Sequence, residues 1–327
     1  MDVADDTPIT APRSVSLGEG NTPVIQLEKV GQSLGLMGLF AKLEFLNPTG
    51  SFKDRGSAVL VSALKERDIG RVAEDSSGNA GASIAAYCAR AGIQATIFAP
   101  VSTPPMKLEQ IAFYGAVVEK IEGGRQAVAQ ACQRYCQEKG VVYASHNLSP
   151  LFVEGTKSFA HETAAQMDPP PDHILFPVGN GSLLIGTWKG YQELRKTGDV
   201  GKLPRLHGVQ SKACMPIVAA FRGKDWVPSP QGTTTVAGGI AVDQPPRLHQ
   251  VLAALEDTSG SAVAVEESEI IRWQQRLSQE EGIFVEPTSA AALAGLAALL
   301  KEGHIQPRDR VLIPLTGFGF KDRIPTN

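Results

Sequence analysis

Residues 71–100, RVAEDSSGNAGASIAAYCARAGIQATIFAP, contain a strand, a loop, a helix and a second strand in succession. The β-rich segments RVAED and QATIFAP flank the loop SSGNAGAS and the apolar run ASIAAYCARAG, which is long enough for a helix. Strands that alternate with helices in this way lie parallel in a sheet whose faces the helices cover. The segment therefore predicts an α/β fold.

The same alternation extends in both directions along the 327 residues. Upstream, LFAKLEF predicts a strand and SFKDRGSAVLVSALKERD a helix. Downstream, we predict one helix over LFVEGTKSFAHETAAQM, a strand over HILFPV and a helix over SLLIGTWKGYQELRKTG. The pattern breaks at HNLSP, residues 146–150. We predict two parallel-sheet domains, a larger one formed by residues 1–45 and 149–327 and a smaller one formed by residues 46–148.

The composition excludes several classes of protein. The net charge is −3, from 31 basic and 34 acidic residues, so no nucleic-acid partner is expected. No apolar run approaches the roughly 18 residues of a membrane helix, and the first residues lack the pattern of a secretory signal. The six histidines are scattered and indicate no metal site. The four cysteines lack metal-site spacing, and buried thiols in a reducing cytoplasm are expected.

A lysine marks the start of a predicted helix. Residues 47–50, NPTG, predict a turn, with Ser51 as a candidate helix cap and Lys53 and Arg55 in the first helical turn. The helix dipole opposes a cation there, which disfavours the ammonium form and suits a lysine that acts as a neutral amine. The alternative is a solvated first turn in which Asp54 offsets both charges. The segment alone leaves both interpretations open.

Two loops rich in small residues follow predicted strands. Residues 76–83, SSGNAGAS, and residues 177–183, PVGNGSL, each lead into a helix, where an anion can approach the amides. The second loop is neither GxGxxG nor a P-loop, because the next glycine, Gly186, comes too late and no GK[ST] follows. Thr316 would present a hydroxyl where the last predicted strand ends. Ordinary capped turns are the alternative at these junctions.

Six motifs, in this order and spacing, carry a resemblance to a known family: LGEGNTP, NPTGSFKDRG, SSGNAGAS, PVGNGSLL, EGIFVEPTSAAALAG and LTGFGFKD. From about Leu17 to Asp322, the chain resembles the fold-type II pyridoxal-phosphate enzymes and, within them, the threonine synthases. The resemblance implies two parallel-sheet domains of the tryptophan-synthase-β-like architecture, in which the larger domain binds the cofactor and the smaller one is mobile. It also implies pyridoxal 5'-phosphate as cofactor and a homodimer.

The resemblance implies a role for each matching residue. Lys53 would form the imine with the cofactor, Asn79 would hydrogen-bond its phenolic oxygen, and Thr316 would face its ring nitrogen. The cofactor phosphate would lie against Gly179, Asn180, Gly181, Ser182 and Leu183. The substrate α-carboxylate would be held by Ser76, Ser77, Ala80 and Gly81.

The implied activity is that of a lyase that converts O-phosphohomoserine and water to threonine and phosphate, with the Lys53 amine moving the proton. Phe152 and Phe318 stand where the family often has an arginine and a histidine, so we assign both to the substrate site. They remove polar groups from the expected position of the substrate phosphate. A serine/threonine dehydratase or a β-replacement enzyme is therefore the second hypothesis. A non-catalytic binding or regulatory module is a third, against which the presence of Lys53 argues.

Overall fold

The computed structural model describes residues 14–228 and 235–321, and the chain divides into two compact units. The smaller unit consists of residues 14–20 and Asn47–Thr156. The larger unit consists of Asn21–Leu46 and the chain from Lys157 onward. The predicted larger domain, residues 1–45 and 149–327, thus differs from this unit in its first segment and in residues 149–156. The predicted mobility of the smaller domain stays a prediction.

Within the described residues, the strands are β1 (Val24–Gln26), β2 (Gly38–Lys42), β3 (Arg71–Glu74), β4 (Gln94–Pro100), β5 (Val117–Ile121), β6 (Val142–Tyr143), β7 (His173–Pro177), β8 (Arg205–Ser211), β9 (Ser261–Val265) and β10 (Arg310–Pro314).

The α-helices of the same residues are α1 (Glu28–Leu34), α2 (Lys53–Glu66), α3 (Asn79–Ala91), α4 (Pro105–Phe113), α5 (Arg125–Lys139), α6 (Pro150–Thr156), α7 (Ser158–Gln166), α8 (Ser182–Thr197), α9 (Pro216–Phe221), α10 (Leu248–Asp257), α11 (Glu267–Glu281) and α12 (Pro287–Lys301). Short 3₁₀ turns lie at Glu44–Leu46, Gly238–Ile240 and Gly319–Lys321. None of the described helices is both long and apolar enough to cross a membrane.

Among the described residues, each unit contains one sheet. The smaller unit has four parallel strands in the order β5-β4-β3-β6. The larger unit has six strands in the order β1-β2-β10-β7-β8-β9, of which only β1 runs antiparallel to its neighbour. The prediction of two parallel α/β sheets is confirmed. Ligands of such sheets bind beyond the carboxyl ends of the strands, so the loops there define the candidate site.

The single helix predicted over LFVEGTKSFAHETAAQM is wrong, because the chain forms α6 and α7 with a break at Lys157. Gly155 in α6 lies so close to α2 that a Cβ would be 2.1 Å from the carbonyl oxygen of Arg55. Gly190 in α8 lies against the start of α7, where a Cβ would be 2.9 Å from the carbonyl oxygen of Lys157. α6 packs within the smaller unit and α7 within the larger one. The helical periodicity of the sequence does not show this tertiary packing, so it does not predict the break.

Candidate active site

The turn before α2 is anchored by a buried carboxylate in the smaller unit. Gly50 has φ +86° and donates its N–H to the carbonyl of Asn47 at 2.8 Å, which confirms the predicted turn. Asp54 accepts the Thr49 N–H at 2.7 Å and the hydroxyls of Thr49 and Ser83 at 2.5 and 2.6 Å. These bonds satisfy the Asp54 carboxylate and join the turn to α3.

Lys53 is the first residue of α2, and the predicted cap at Ser51 is wrong. The residue before the helix is Phe52, and the buried Ser51 hydroxyl has no hydrogen-bond partner among the described residues. The Lys53 Nζ lies 4.3 Å from the Phe52 ring centroid and 5.9 Å from that of Phe152. The alternative of a solvated first turn does not fit, because Asp54 is fully buried and its carboxylate is bound within the unit.

In the loop between β3 and α3, small residues allow the loop backbone to lie close to the start of the helix. α3 begins at Asn79, and Ser76 and Ser77 before it are half-buried. Ala80 is buried, and a Cβ on Gly81 would lie 1.8 Å from the carbonyl oxygen of Ser76. The loop therefore folds over the first turn of the helix, where amide groups lack intrahelical acceptors.

Phe152 belongs to the hydrophobic core of the smaller unit and is fully buried in α6. A Cβ on Gly56 in α2 would lie 2.6 Å from its ring, so the glycine makes room for the aromatic side chain. The ring also meets the ring of His146 edge-on, with the centroids 5.9 Å apart. Its neighbours in the unit thus include Lys53 and His146, while its assigned contact with substrate stays a prediction.

Sequence reasoning missed a polar cluster at the carboxyl end of β3. The buried Glu74 carboxyl contacts Nδ1 of His146 and accepts the His146 backbone N–H at 3.2 Å. Asp75 joins them, and potential ligand atoms of the three residues lie within 4.8 Å of one another. A signal was present in the sequence, because two consecutive acidic residues stand at the end of a buried strand, Glu74 as its last residue and Asp75 directly after it. The pairing of β3 with β6 brings the distant histidine there.

Burial shifts the ionisation of this cluster. Desolvation raises the pKa of Glu74 well above its usual range, and the charge of Asp75 adds to the rise. Desolvation lowers the pKa of His146 well below its usual range, with the charges of Lys53 and Arg125 adding to the fall. Both shifts favour the uncharged forms of the two side chains.

In the larger unit, a glycine loop connects β7 to α8. Gly181 has φ +83° and directly precedes the helix, where a Cβ would lie 2.3 Å from the Val251 side chain. A Cβ on Gly179 would lie 3.0 Å from the carbonyl oxygen of Gly239. The loop, residues 179–183, therefore presents backbone amides at the start of a 16-residue helix. Such a helix start is suited to an anion.

Thr316 lies two residues beyond β10 and is buried. Its hydroxyl is 3.0 Å from that of Ser289 in α12, and Ser289 Oγ also accepts the Gly317 N–H at 3.0 Å. Sequence reasoning assigned no role to Ser289, although it belongs to the quoted motif EGIFVEPTSAAALAG. The serine therefore fixes both the side chain and the backbone at the end of β10.

Phe318 is half-buried in an aromatic cluster of the larger unit. Its ring stacks on Phe45 at 5.3 Å between centroids and meets Phe320 edge-on at 4.9 Å. These contacts account for an apolar side chain at this position. Its assignment to the substrate site stays a prediction.

Comparison with known proteins places the chain in a family. Residues 15–317 match the family described as pyridoxal-phosphate dependent enzyme. The chain belongs to the pyridoxal-phosphate-dependent enzyme family. It is 38% identical to threonine synthase of Methanocaldococcus jannaschii, over 94% of this chain and 76% of the relative, and 35% identical to threonine synthase of Bacillus sp. (strain ULM1), over 94% and 85%. A crystal structure of a T.th. threonine deaminase is 26% identical, with a TM-score of 0.77, over 93% of this chain and 94% of that one.

These findings confirm the predicted family, the fold class and the cofactor, pyridoxal 5'-phosphate. The residues present fit that cofactor. The larger unit offers an anion-binding loop in which close packing at Gly179 and Gly181 excludes side chains. The same unit offers the uncharged hydroxyl of Thr316. The smaller unit offers a half-buried primary amine at Lys53.

Proposed function

We propose that the chain is a pyridoxal-phosphate-dependent lyase with the activity of a threonine synthase, which converts O-phosphohomoserine and water to threonine and phosphate. The observation that carries this proposal is the 38% identity to a threonine synthase over 94% of the chain. The predicted lysine motif, NPTGSFKDRG, lies within the matched region.

Lys53 is the residue that holds the cofactor and moves the substrate proton. When bound, the cofactor supplies an electron sink for charge that develops at the α-carbon. A general base must be uncharged to accept a proton, and a helix N-terminus disfavours an ammonium group. The Lys53 position at the start of α2 supports this role, since Asp54 is engaged by Thr49 and Ser83.

The remaining site residues bind and orient. Residues 179–183 bind the cofactor phosphate through backbone amides, and Thr316 faces the ring nitrogen with a hydroxyl that Ser289 orients. Asn79 hydrogen-bonds the phenolic oxygen. The substrate α-carboxylate is held by Ser76, Ser77, Ala80 and Gly81. A hydroxyl at the ring nitrogen does not force its protonation, as a carboxylate would.

A dehydratase acting on serine or threonine is the second candidate. The 26% identity to a threonine deaminase and the aromatic surroundings of Phe318 favour it, because a buried phosphate without a cation is costly. Lys107, Lys157 and Lys212 are the cations proposed for a substrate phosphate instead, although Lys157 pairs with Glu193 at 2.7 Å and Lys212 with Glu266 at 2.5 Å. A β-replacement reaction belongs to the same alternative, and a non-catalytic module is the most distant one.

The test is kcat/KM for O-phosphohomoserine beside L-threonine and L-serine on purified holoenzyme. A value of about 10⁴ M⁻¹s⁻¹ or more for O-phosphohomoserine supports the threonine synthase activity. Background turnover of that substrate with rapid deamination of a hydroxy amino acid moves the assignment to the dehydratase. No turnover of any of the three, with the cofactor bound, rejects both the threonine synthase and the dehydratase and leaves the β-replacement enzyme and the non-catalytic module.

We also propose a cytoplasmic location and a homodimer. All four cysteines are thiols rather than disulfides, which agrees with a reducing compartment. The homodimer rests on the resemblance to the family. Light scattering behind size-exclusion chromatography tests it, with a mass of about twice 34.7 kDa expected.

A further inference from the structure

The strongest feature outside the assigned residues is the contact between Glu74 and His146 in the smaller unit. Glu74 is fully buried and His146 is 5% exposed. One carboxyl oxygen contacts Nδ1 of the ring, and the other accepts the backbone N–H of the same histidine at 3.2 Å. A buried carboxyl and a buried imidazole are stable together when they share a proton, because neither is then left as an isolated charge.

The pair is connected to Lys53 through Phe152. The His146 ring meets the Phe152 ring edge-on at 5.9 Å, and the Lys53 Nζ lies 5.9 Å from the centroid of that same ring. Gly56 and Gly155 allow this approach, since a Cβ on either would overlap α6 or α2. The lysine charge also acts on both members of the pair: it partly opposes the rise that burial causes in the pKa of Glu74, and it adds to the fall that burial causes in the pKa of His146.

We propose that Glu74 and His146 are positioning residues for Lys53: they share one proton, hold Phe152 beside the lysine amine and set the charge that this amine experiences. This inference rests on the role of Lys53 in the proposed function. The pair occupies the carboxyl end of β3 and the loop after β6, which are adjacent strands of one sheet. The same strand end leads into the loop assigned to substrate binding.

Other titratable groups surround the pair and enter the same electrostatic balance. Asp75 follows Glu74 and hydrogen-bonds Tyr143 of β6. The further groups that act on the pair or on Asp75 are Arg125, Cys132 and Cys136 of α5 and Cys88 of α3. None of these groups changes in the variants below, so their contribution is common to all the proteins compared.

The shared proton predicts unequal effects for the two members. Glu74→Gln leaves an uncharged amide beside an uncharged imidazole, so the net charge near Lys53 does not change and the pKa of its nitrogen stays close to that of wild type. His146→Gln leaves the carboxyl accepting an amide N–H, which stabilises its ionised form and raises the pKa of the Lys53 nitrogen. This rise should be about one pH unit, and the double variant, which has no carboxyl, should titrate as wild type does. Loss of packing alone would not raise this pKa in His146→Gln and restore it in the double variant.

The experiment is a pH titration of the visible absorbance of the holoenzyme between about pH 5 and 10.5. Wild type, both single variants and the double variant are compared at equal cofactor occupancy. His173→Gln and Asp309→Asn are matched controls, because they change a second buried histidine and its carboxylate partner in the larger unit. The controls should titrate as wild type does.

Identical titrations of wild type and His146→Gln, flat curves included, would overturn the proposal, as would an equal rise in Glu74→Gln. One equivalent of bound zinc, magnesium or manganese in the purified protein, lost in both variants, would also overturn it, because a metal would then replace the shared proton. Borohydride reduction and peptide mapping separate this failure from that of the proposed function. Cofactor attached at another lysine rejects the role of Lys53, whereas attachment at Lys53 with unshifted titrations rejects only the pair.

Discussion

Each unit has a buried histidine cluster among its described residues, one at the carboxyl end of a parallel strand and the other at the amino ends of two. His146 meets Glu74 at the carboxyl end of β3, in the smaller unit. His173 and His207 stack at 5.1 Å near the amino ends of β7 and β8, in the larger unit, where His173 also contacts Asp309 at 3.1 Å. The carboxyl ends of such strands lead into ligand-binding loops, whereas the amino ends do not. The comparison supports the role proposed for the first cluster beside Lys53 and predicts that the second contributes to stability.

The largest effect is expected from Lys53→Ala. This substitution removes the amine that the proposal uses to hold the cofactor and to move the proton, so activity should fall about 10²- to 10⁴-fold from the lost base alone. Steady-state rates and borohydride trapping of the cofactor measure it. Lys65→Ala, an exposed lysine in the last turn of the same helix, is the control and should retain both. A trapped cofactor at another lysine in Lys53→Ala would contradict the assignment.

Gly181→Val should release the cofactor and leave the fold largely intact. The φ of +83° strains any side chain, and a Cβ would lie 2.3 Å from Val251, so the loop must move away from the phosphate. Gly198→Val at the other end of α8 is a matched control, because its φ is +85° but no described atom lies within 4 Å of a Cβ. Both variants should lose about 1–2 kcal/mol of stability, and only the first should bind cofactor at least about 10-fold more weakly. Equal cofactor affinity in the two would count against the phosphate loop.

Much of this site could be predicted from the sequence. The turn before Lys53 and the loop before α8 depend on glycine, asparagine and small residues in local order, which the sequence displays directly. The contact of His146 with Glu74 could not be predicted, because it depends on which strands pair across 72 residues. The failure at Ser51 has the same cause, since Asp54 binds Thr49 and Ser83 through tertiary contacts that fix the turn without a cap.

The amino-end histidines should make the larger unit sensitive to acid. Burial, with the charge of His173 adding to it, lowers the pKa of His207 to about 3. Because the folded-state pKa lies below the unfolded value of about 6.5, the stabilisation is complete above that value and is lost progressively as the pH falls toward 3. Through this group alone, the free energy of unfolding decreases by up to about 1.4 kcal/mol for each pH unit of acidification.

Urea denaturation between pH 7.5 and 4 measures this loss. Tryptophan fluorescence reports on the larger unit, because all three tryptophans, Trp188, Trp226 and Trp273, belong to it. His207→Gln should make the free energy of unfolding depend less on pH. His146→Gln, in the smaller unit, should leave this pH dependence unchanged when unfolding is followed by fluorescence. If both variants showed the same pH dependence of the unfolding free energy as wild type, the distinction between the two clusters would be removed.

The smallest effect is expected from Ser289→Ala. Its hydroxyl links Thr316 to the Gly317 backbone at the carboxyl end of β10, so its loss leaves the Thr316 hydroxyl without this buried partner. A neutral hydrogen bond contributes about 1 kcal/mol, so cofactor should bind about fivefold more weakly, as measured by equilibrium titration of its absorbance. Ser278→Ala is the control, because that hydroxyl bonds only backbone carbonyls of Gln274 and Ile283 among the described contacts. Cofactor affinity that falls equally in both variants would show general loosening of the unit, whereas a selective loss in Ser289→Ala would assign this serine to orienting Thr316.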